Sequence, residues 1–220
     1  NLSFSGGKDK TTYYLSLNYF DQTGILIGSD FNRYAMRFNL DNQLKTWLKV
    51  GISSNVSRTT QNVTLADAAE GTIWWGAIQN PLIPLKNLDG TWGGGNVISG
   101  YQYASDNPVA RAQLRGNKSI SSQVFGNVYA DLQLSKNLSF RNEVSYSIGL
   151  NNNQAVQQSG YIGPSSLQSQ LFEYKGNSYY YSLRNYLTYN KYWGKHGINL
   201  TAGHEMQYSY YEGMSGKKVD

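Results

Sequence analysis

Few residues in this 220-residue chain have the spacing of a chemical site. His204-Glu205 begins like the zinc-binding H-E-x-x-H helix, but Tyr208 stands where the second histidine must be. His196, the only other histidine, falls in a turn segment, so no dedicated metal site is expected. Asp131 and Glu143 could be read as the acid and base of a glycosidase. They share their surroundings with Arg141 and Arg184, and charge balance on a polar surface accounts for them better. Gly6-Gly7-Lys8 lacks the spacing of a phosphate loop and leads into a strand pattern rather than a helix, which makes it a hairpin turn. No nucleophile, base and orienting group stand together, and cysteine is absent. The chain reads as neither an enzyme nor a holder of any cofactor or metal.

The elements that position these residues are strands. Tyrosine occurs 19 times, aromatics make up 14% and charged residues only 15% of the chain, a balance suited to a half-apolar pleated surface. No apolar run is long enough to cross a bilayer as a helix, but barrel strands cross with about 9–11 alternating residues at low mean hydropathy. The net charge of +5 is mild, and no RNA-binding signature accompanies it, so no nucleic-acid partner is expected. The chain opens in a strand-like Asn1-Leu2-Ser3-Phe4-Ser5 without an initiator Met and reads as a piece of something longer.

Period-two alternation predicts a short opening strand and then strands near 12–21, 33–41, 46–57, 123–135, 138–150, 179–191 and 197–209. Tight turns at 6–11, 41–45, 135–137 and 193–197 alternate with longer connections at 21–32, 59–122 and 151–178. Short turns at one end and long loops at the other are the mark of outer-membrane barrels. One parity is apolar, as in Tyr34, Met36, Phe38 and Leu40, or Tyr181, Leu183, Leu187 and Tyr189. The other carries Arg33, Arg37, Lys49, Asp131, Arg141, Glu143, Arg184 and Glu205, assigned to the lumen. An Arg or Lys facing lipid at mid-bilayer costs about 2–4 kcal/mol, so a membrane enforces this segregation. Asn142, Asn185 and His204 break the apolar stripe, through a bulge, a neighbour contact or a shifted register. The segment around Gly213–Gly216 reads as a loop.

The long extracellular loop predicted over 59–122 gathers Trp74, Trp75, Trp92, Tyr101 and Tyr103 among glycines and prolines. Such aromatics can stack on sugars or anchor a partner, or else pack the loop upon itself. They are the candidates for substrate or lid contact, although self-packing is the simpler reading for any one of them.

An ordered series of phrases resembles the SusC/RagA family of TonB-dependent transporters over essentially the whole chain. It runs N-L-S-F-S-G-G (1–7), K-T-T-Y-Y-L-S-L-N-Y-F-D-Q-T-G (10–24), S-D-F-N-R-Y (29–34), R-F-N-L-D (37–41) and W-L-K-V-G-I (47–52). It continues with S-R-T-T-Q-N (57–62), N-P-L-I-P-L (80–85), D-G-T-W-G-G (89–94), N-P-V-A (107–110) and F-G-N-V-Y-A-D-L (125–132). N-Y-L-T-Y-N-K-Y-W-G-K-H (185–196) and A-G-H-E (202–205) close it. The resemblance implies an all-β fold: about eight antiparallel transmembrane strands of a larger barrel, following a plug that lies outside this chain. It also implies residence in the outer membrane of a Gram-negative, Bacteroidetes-like cell, in contact with its lipid. The expected partners are a SusD-like surface lipoprotein, the TonB complex acting through other parts of the parent protein, and an oligosaccharide or peptide cargo. Two rival classes are a non-transporting outer-membrane structural protein or adhesin, and a barrel enzyme such as a lipase or protease.

Overall fold

The computed structural model describes residues 1–64, 71–93, 106–161 and 166–220. Strands β1 (Leu2–Lys8), β2 (Thr11–Thr23), β3 (Asp30–Lys45) and β4 (Leu48–Val63) come first. Helices α1 (Thr72–Ile78) and α2 (Pro108–Leu114) follow, then β5 (Arg115–Ser135) and β6 (Leu138–Gln157). A two-residue pair, β7 (Gly160–Tyr161) and β8 (Ser166–Leu167), precedes the long strands β9 (Gln170–Trp193) and β10 (His196–Val219). Eight of these strands form one antiparallel sheet in the order β1-β2-β3-β4-β5-β6-β9-β10, and the sheet is not closed.

Four two-residue turns, 9–10, 46–47, 136–137 and 194–195, lie at one end of the sheet. Asp9 (φ 54°) and Gly194 (φ 60°) adopt the positive φ that hairpins demand at the first turn position. The register shifts between Gln43 and Lys45 and between Gln133 and Ser135, as bulges beside a turn do. The connections 24–29, 64–114 and 158–169 lie at the opposite end.

The strands are longer than alternation predicted. Residues 59–63 extend β4 and 115–122 begin β5, so the great loop narrows to 64–114 and carries two short helices. The Gly213–Gly216 segment is not a loop: Gly213 pairs with Gly176 and Gly216 with Glu173 inside β10. Its glycines and serine mask the apolar alternation, while the backbone pairing continues without them. At about 3.3 Å per residue, the 24 residues of β9 reach roughly 80 Å, far more than a tilted span needs.

The pairing makes the apolar parity continuous across the sheet. One row runs Leu40–Ile52–Val128–Val144–Leu183–Met206, and its neighbour contains Tyr146, Tyr181 and Tyr208. Among the described residues the buried hydrophobics are Ala110 and Ala112, both in α2. Val128, Val144, Leu187, Leu200 and Met206 are all exposed. A soluble monomer does not leave an apolar face of several strands bare, whereas a membrane wall must. Asn142, Asn185 and His204 occupy a single cross-strand row, and Asn142 Nδ2 donates to Asn185 Oδ1 at 2.6 Å. The interruptions therefore reflect a neighbour contact, with no bulge and no misread register.

Tyrosine and glycine are abundant together for a packing reason. On the polar face Tyr129 of β5 leans across β4 and its hydroxyl donates to Asp41 of β3. It can do so because the intervening residue is Gly51, where an added Cβ would clash with the Tyr129 ring and with the Asp41 carboxylate it holds. The apolar face repeats the device: Tyr146 reaches over Gly126 to donate to Ser54 at 2.9 Å. We expect Gly51→Ala to cost about 2 kcal/mol through overpacking and loss of the Tyr129 hydrogen bond. In a Tyr129→Ser background the same change should cost under about 0.5 kcal/mol, since the ring it displaces is gone. Urea unfolding of the parent protein in bilayers measures both; equal costs in the two backgrounds would refute the packing account.

Candidate functional site: the polar face and its loops

Alternation puts the charged residues named above on one face, and pairing brings most of them together at the end nearest the two-residue turns. Two adjacent rows hold them, one with Lys49, Asp131 and Arg141, the other with Asp41, Glu143, Arg184 and Glu205. Lys49 Nζ lies 3.8 Å from Asp41 and 5.7 Å from the Tyr129 ring centre. Arg141 lies over the same ring at 4.1 Å and binds Asp131 at 3.2 Å and Glu143 at 3.0 Å. Glu143 also meets Arg184 at 3.5 Å, and Arg184 Nε donates to Glu205 at 2.8 Å. Gln207 adds a donor to Glu205 at 2.9 Å. The result is an alternating series of charges across six strands, with four carboxylates to three cations.

Glu143 is the hub, its side chain only 13% exposed, and the other members are 32% to 42% open to solvent. Partly solvated pairs contribute about 0–1 kcal/mol each. The ladder thus neutralises charge on the wall and fixes side-chain directions, without supplying much stability. Arg33 and Arg37 stand apart from it. Arg33 Nη2 donates to Asn18 at 3.3 Å, and Arg37 pairs in register with Ser16 and Asn55. Asp131 and Glu143 are both held by Arg141, an arrangement of charge compensation.

At the far end, the loops form a folded plate. Asn107 accepts from Val109 N and Ala110 N to cap α2, while its Nδ2 donates to Leu85 O at 3.1 Å and Gly93 O at 2.8 Å. One side chain thereby starts a helix and ties it to the 80–93 segment. Asp106 and Arg111 form a buried ion pair at 2.6 Å, and the guanidinium lies 5.1 Å from the Trp75 ring centre. Thr64 donates to Ile27 O, joining this plate to the 24–29 loop. There Gly28 (φ 82°) takes a conformation that favours glycine, close to Thr64 and Ala112 O.

Of the candidate aromatics, Trp75 packs against Arg111, Trp92 lies under Lys86 Nζ at 3.1 Å, and Trp74 is 49% exposed. Tyr101 and Tyr103 lie outside the described residues. The Trp92 hairpin is tied at its tip, where the hydroxyl and amide of Thr91 both donate to Asp89. Those bonds hold the Asp89 carboxyl below the usual carboxylate range. Sequence reasoning missed the Asp106–Arg111 pair and the role of Asn107, although Asn107-Pro108 carries the signal of a helix start.

An open antiparallel wall, apolar on one face, polar and charge-compensated on the other, with its loops gathered at one end, defines a segment of a transmembrane β-barrel. Comparison with known proteins supplies the group. The chain is 29% identical over 225 residues to TonB-dependent receptor P3 of Formosa agariphila, covering 96% of this chain and 21% of that protein. It is 32% identical over 147 residues to TonB-dependent receptor P26 of the same organism, covering 66% of this chain and 14% of the relative. It is also 25% identical over 236 residues to TonB-dependent receptor SusC of Bacteroides thetaiotaomicron, covering 97% of this chain and 23% of the relative. Among solved structures, the RagAB peptide importer in the open-open state matches with a TM-score of 0.81 at 22% identity, over 99% of this chain and 24% of that one. The RagAB peptide transporter matches with a TM-score of 0.74 at 24% identity, over 98% and 25%. No protein-family model matches.

The chain is thus similar in sequence to TonB-dependent receptors, SusC among them, and its sheet has the fold of part of the RagAB structures. It spans about a fifth of the length of the curated relatives it matches. These relatives are receptors and transporters, not enzymes.

Proposed function

We propose that the chain forms part of the wall of a TonB-dependent importer in the outer membrane of a Bacteroidetes-like cell. The observation that carries this reading is the alignment of nearly the whole chain, through its ordered strands, with TonB-dependent receptors. In it the apolar face meets lipid and the polar face lines the lumen. The two-residue turns face the periplasm, and the plate of loops faces outward. The charged ladder then belongs to the periplasmic part of the lumen. Trp74, the exposed member of the loop tryptophans, is placed to meet cargo or lid.

The cargo is an oligosaccharide or peptide, delivered by a SusD-like lipoprotein that covers the loops. TonB drives import through parts of the parent protein beyond this segment. Deleting the parent gene should abolish growth on one oligosaccharide or peptide as sole carbon source, and inactivating TonB should reproduce the loss. Unimpaired growth on every cargo of both classes would instead favour the structural or adhesin reading.

A further inference from the structure

On the polar face, the part of β6, β9 and β10 nearest the loops differs in kind from the charged ladder. Beyond Glu143, Arg184 and Glu205 the residues of this parity are Ser145, Ser147, Gly149, Asn151 and Asn153 on β6. On β9 they are Ser182, Tyr180, Ser178, Gly176 and Tyr174, and on β10 Gln207, Ser209, Tyr211, Gly213 and Ser215. The stretch contains no charge. It offers hydroxyls, amides and three tyrosines.

Two of these rings lie along the sheet rather than standing from it. A Cβ built at Gly176 would meet the Tyr174 hydroxyl at 2.5 Å and that of Tyr211 at 2.9 Å, and one at Gly213 would meet them at 3.1 and 3.3 Å. Tyrosines from two strands therefore converge over a bare glycine floor, which Gly149 extends on β6. Tyr211 is 61% exposed. Ser147, Ser178, Tyr180, Ser209 and Tyr211 border a shallow recess beside this floor.

A ring laid on glycine turns its other face outward and pays little entropy when something stacks on it. We propose that Tyr174 and Tyr211, with Tyr180 and the serines around them, form a stacking platform for the pyranose rings of a neutral oligosaccharide. The axial C–H face of a sugar matches the ring faces, and its equatorial hydroxyls match Ser178, Ser209 and Asn151. The rows named here hold no charge, the nearest of this parity being Lys217 toward the end of β10, so the platform itself offers a charged ligand no counter-ion and favours a neutral sugar. The placement on the lumen side, toward the outer mouth, rests on the importer reading above.

The test uses the full-length parent protein in nanodiscs with neutral maltohexaose and xylohexaose as probes, and a neutral Gly/Ser hexapeptide for comparison. Saturation-transfer NMR should mark the sugar C–H protons, and titration gives the Kd. Combining Tyr174→Ala with Tyr211→Ala should weaken binding of the responsive sugar about tenfold or more, as expected for two lost ring contacts. Tyr211→Phe keeps the ring and should stay within about twofold. If the double alanine variant fails to fold, Tyr174→Leu with Tyr211→Leu keeps the bulk without the aromatic face and should show the same loss. Absence of sugar binding, sugar binding indifferent to these substitutions, or tyrosine-dependent binding of the peptide alone would overturn the proposal. Gene deletion tests the importer reading separately: normal uptake after deletion removes that reading and leaves measured sugar binding standing.

Discussion

Leu183→Arg will destabilise the parent protein in a bilayer by about 1–3 kcal/mol, between the interface and midplane costs of a lipid-facing Arg, whereas Ser145→Arg on the neighbouring strand will be close to neutral. Leu183 belongs to the apolar row Leu40–Ile52–Val128–Val144–Leu183–Met206 and lies on β9 two residues inside Tyr181 and six from Tyr189, within the apolar band. A guanidinium there must be dehydrated, or must drag water and headgroups toward it. Ser145 is in register with the buried Ser182 and faces the other way, onto the polar face beside Glu143, whose carboxylate can pair with an added guanidinium. Reversible unfolding from lipid vesicles reads the difference. In detergent micelles, which deform around a charge, the penalty at Leu183 should shrink. Equal effects at the two positions, or a larger one at Ser145, would invert the assignment of faces and with it the direction of the lumen.

The second large effect is local. Asp106 and Arg111 are both nearly buried, with side-chain exposures of 6% and 8%. Removing the carboxylate takes the close partner of a buried guanidinium, and breaking such a pair costs about 3–5 kcal/mol, with the low end applying because Arg111 keeps a further contact. Asp106→Ala should therefore raise the rate of loop opening on the order of a hundredfold. Limited proteolysis should then cut within 71–114 while the strands stay intact. Cleavage of Asp106→Ala at the wild-type rate would show that the plate is held by Asn107 and the loop backbone instead. The outcome bears on the importer proposal, in which a SusD-like lid closes on this plate and needs it folded.

The two faces of the wall were legible because a period of two forces every second side chain to one solvent, and charges sort themselves accordingly. The same rule hid the ends of the strands. Past the tyrosine rows both faces meet water, alternation is no longer selected, and stretches such as Gly213–Gly216 look like loops while pairing as strand. The three polar interruptions were visible as defects, but register was needed to show Asn142, Asn185 and His204 as one row. Tyr129 and Gly51 stand 78 positions apart, so their fit belongs to the sheet and to no local pattern. The loop plate was least legible. Asn107 joins residues 14 to 22 positions upstream, and contacts of that kind leave no periodic trace.

The order of the sheet has a bearing on how such a wall is made and how it evolves. Each strand bonds only to its predecessor and successor, apart from the small β7–β8 pair bridged between β6 and β9. A growing sheet of this kind needs no threading: each new hairpin completes the edge left by the last, and the entropy of closing the intervening segment stays small where the turn has two residues. The 51-residue connection between β4 and β5 is the one costly closure, and it sits between two blocks of four strands. Duplication or loss of a hairpin would change the circumference of a barrel while leaving the registers of the remaining strands untouched. Four-strand blocks joined by long outer segments are thus natural units of assembly and inheritance.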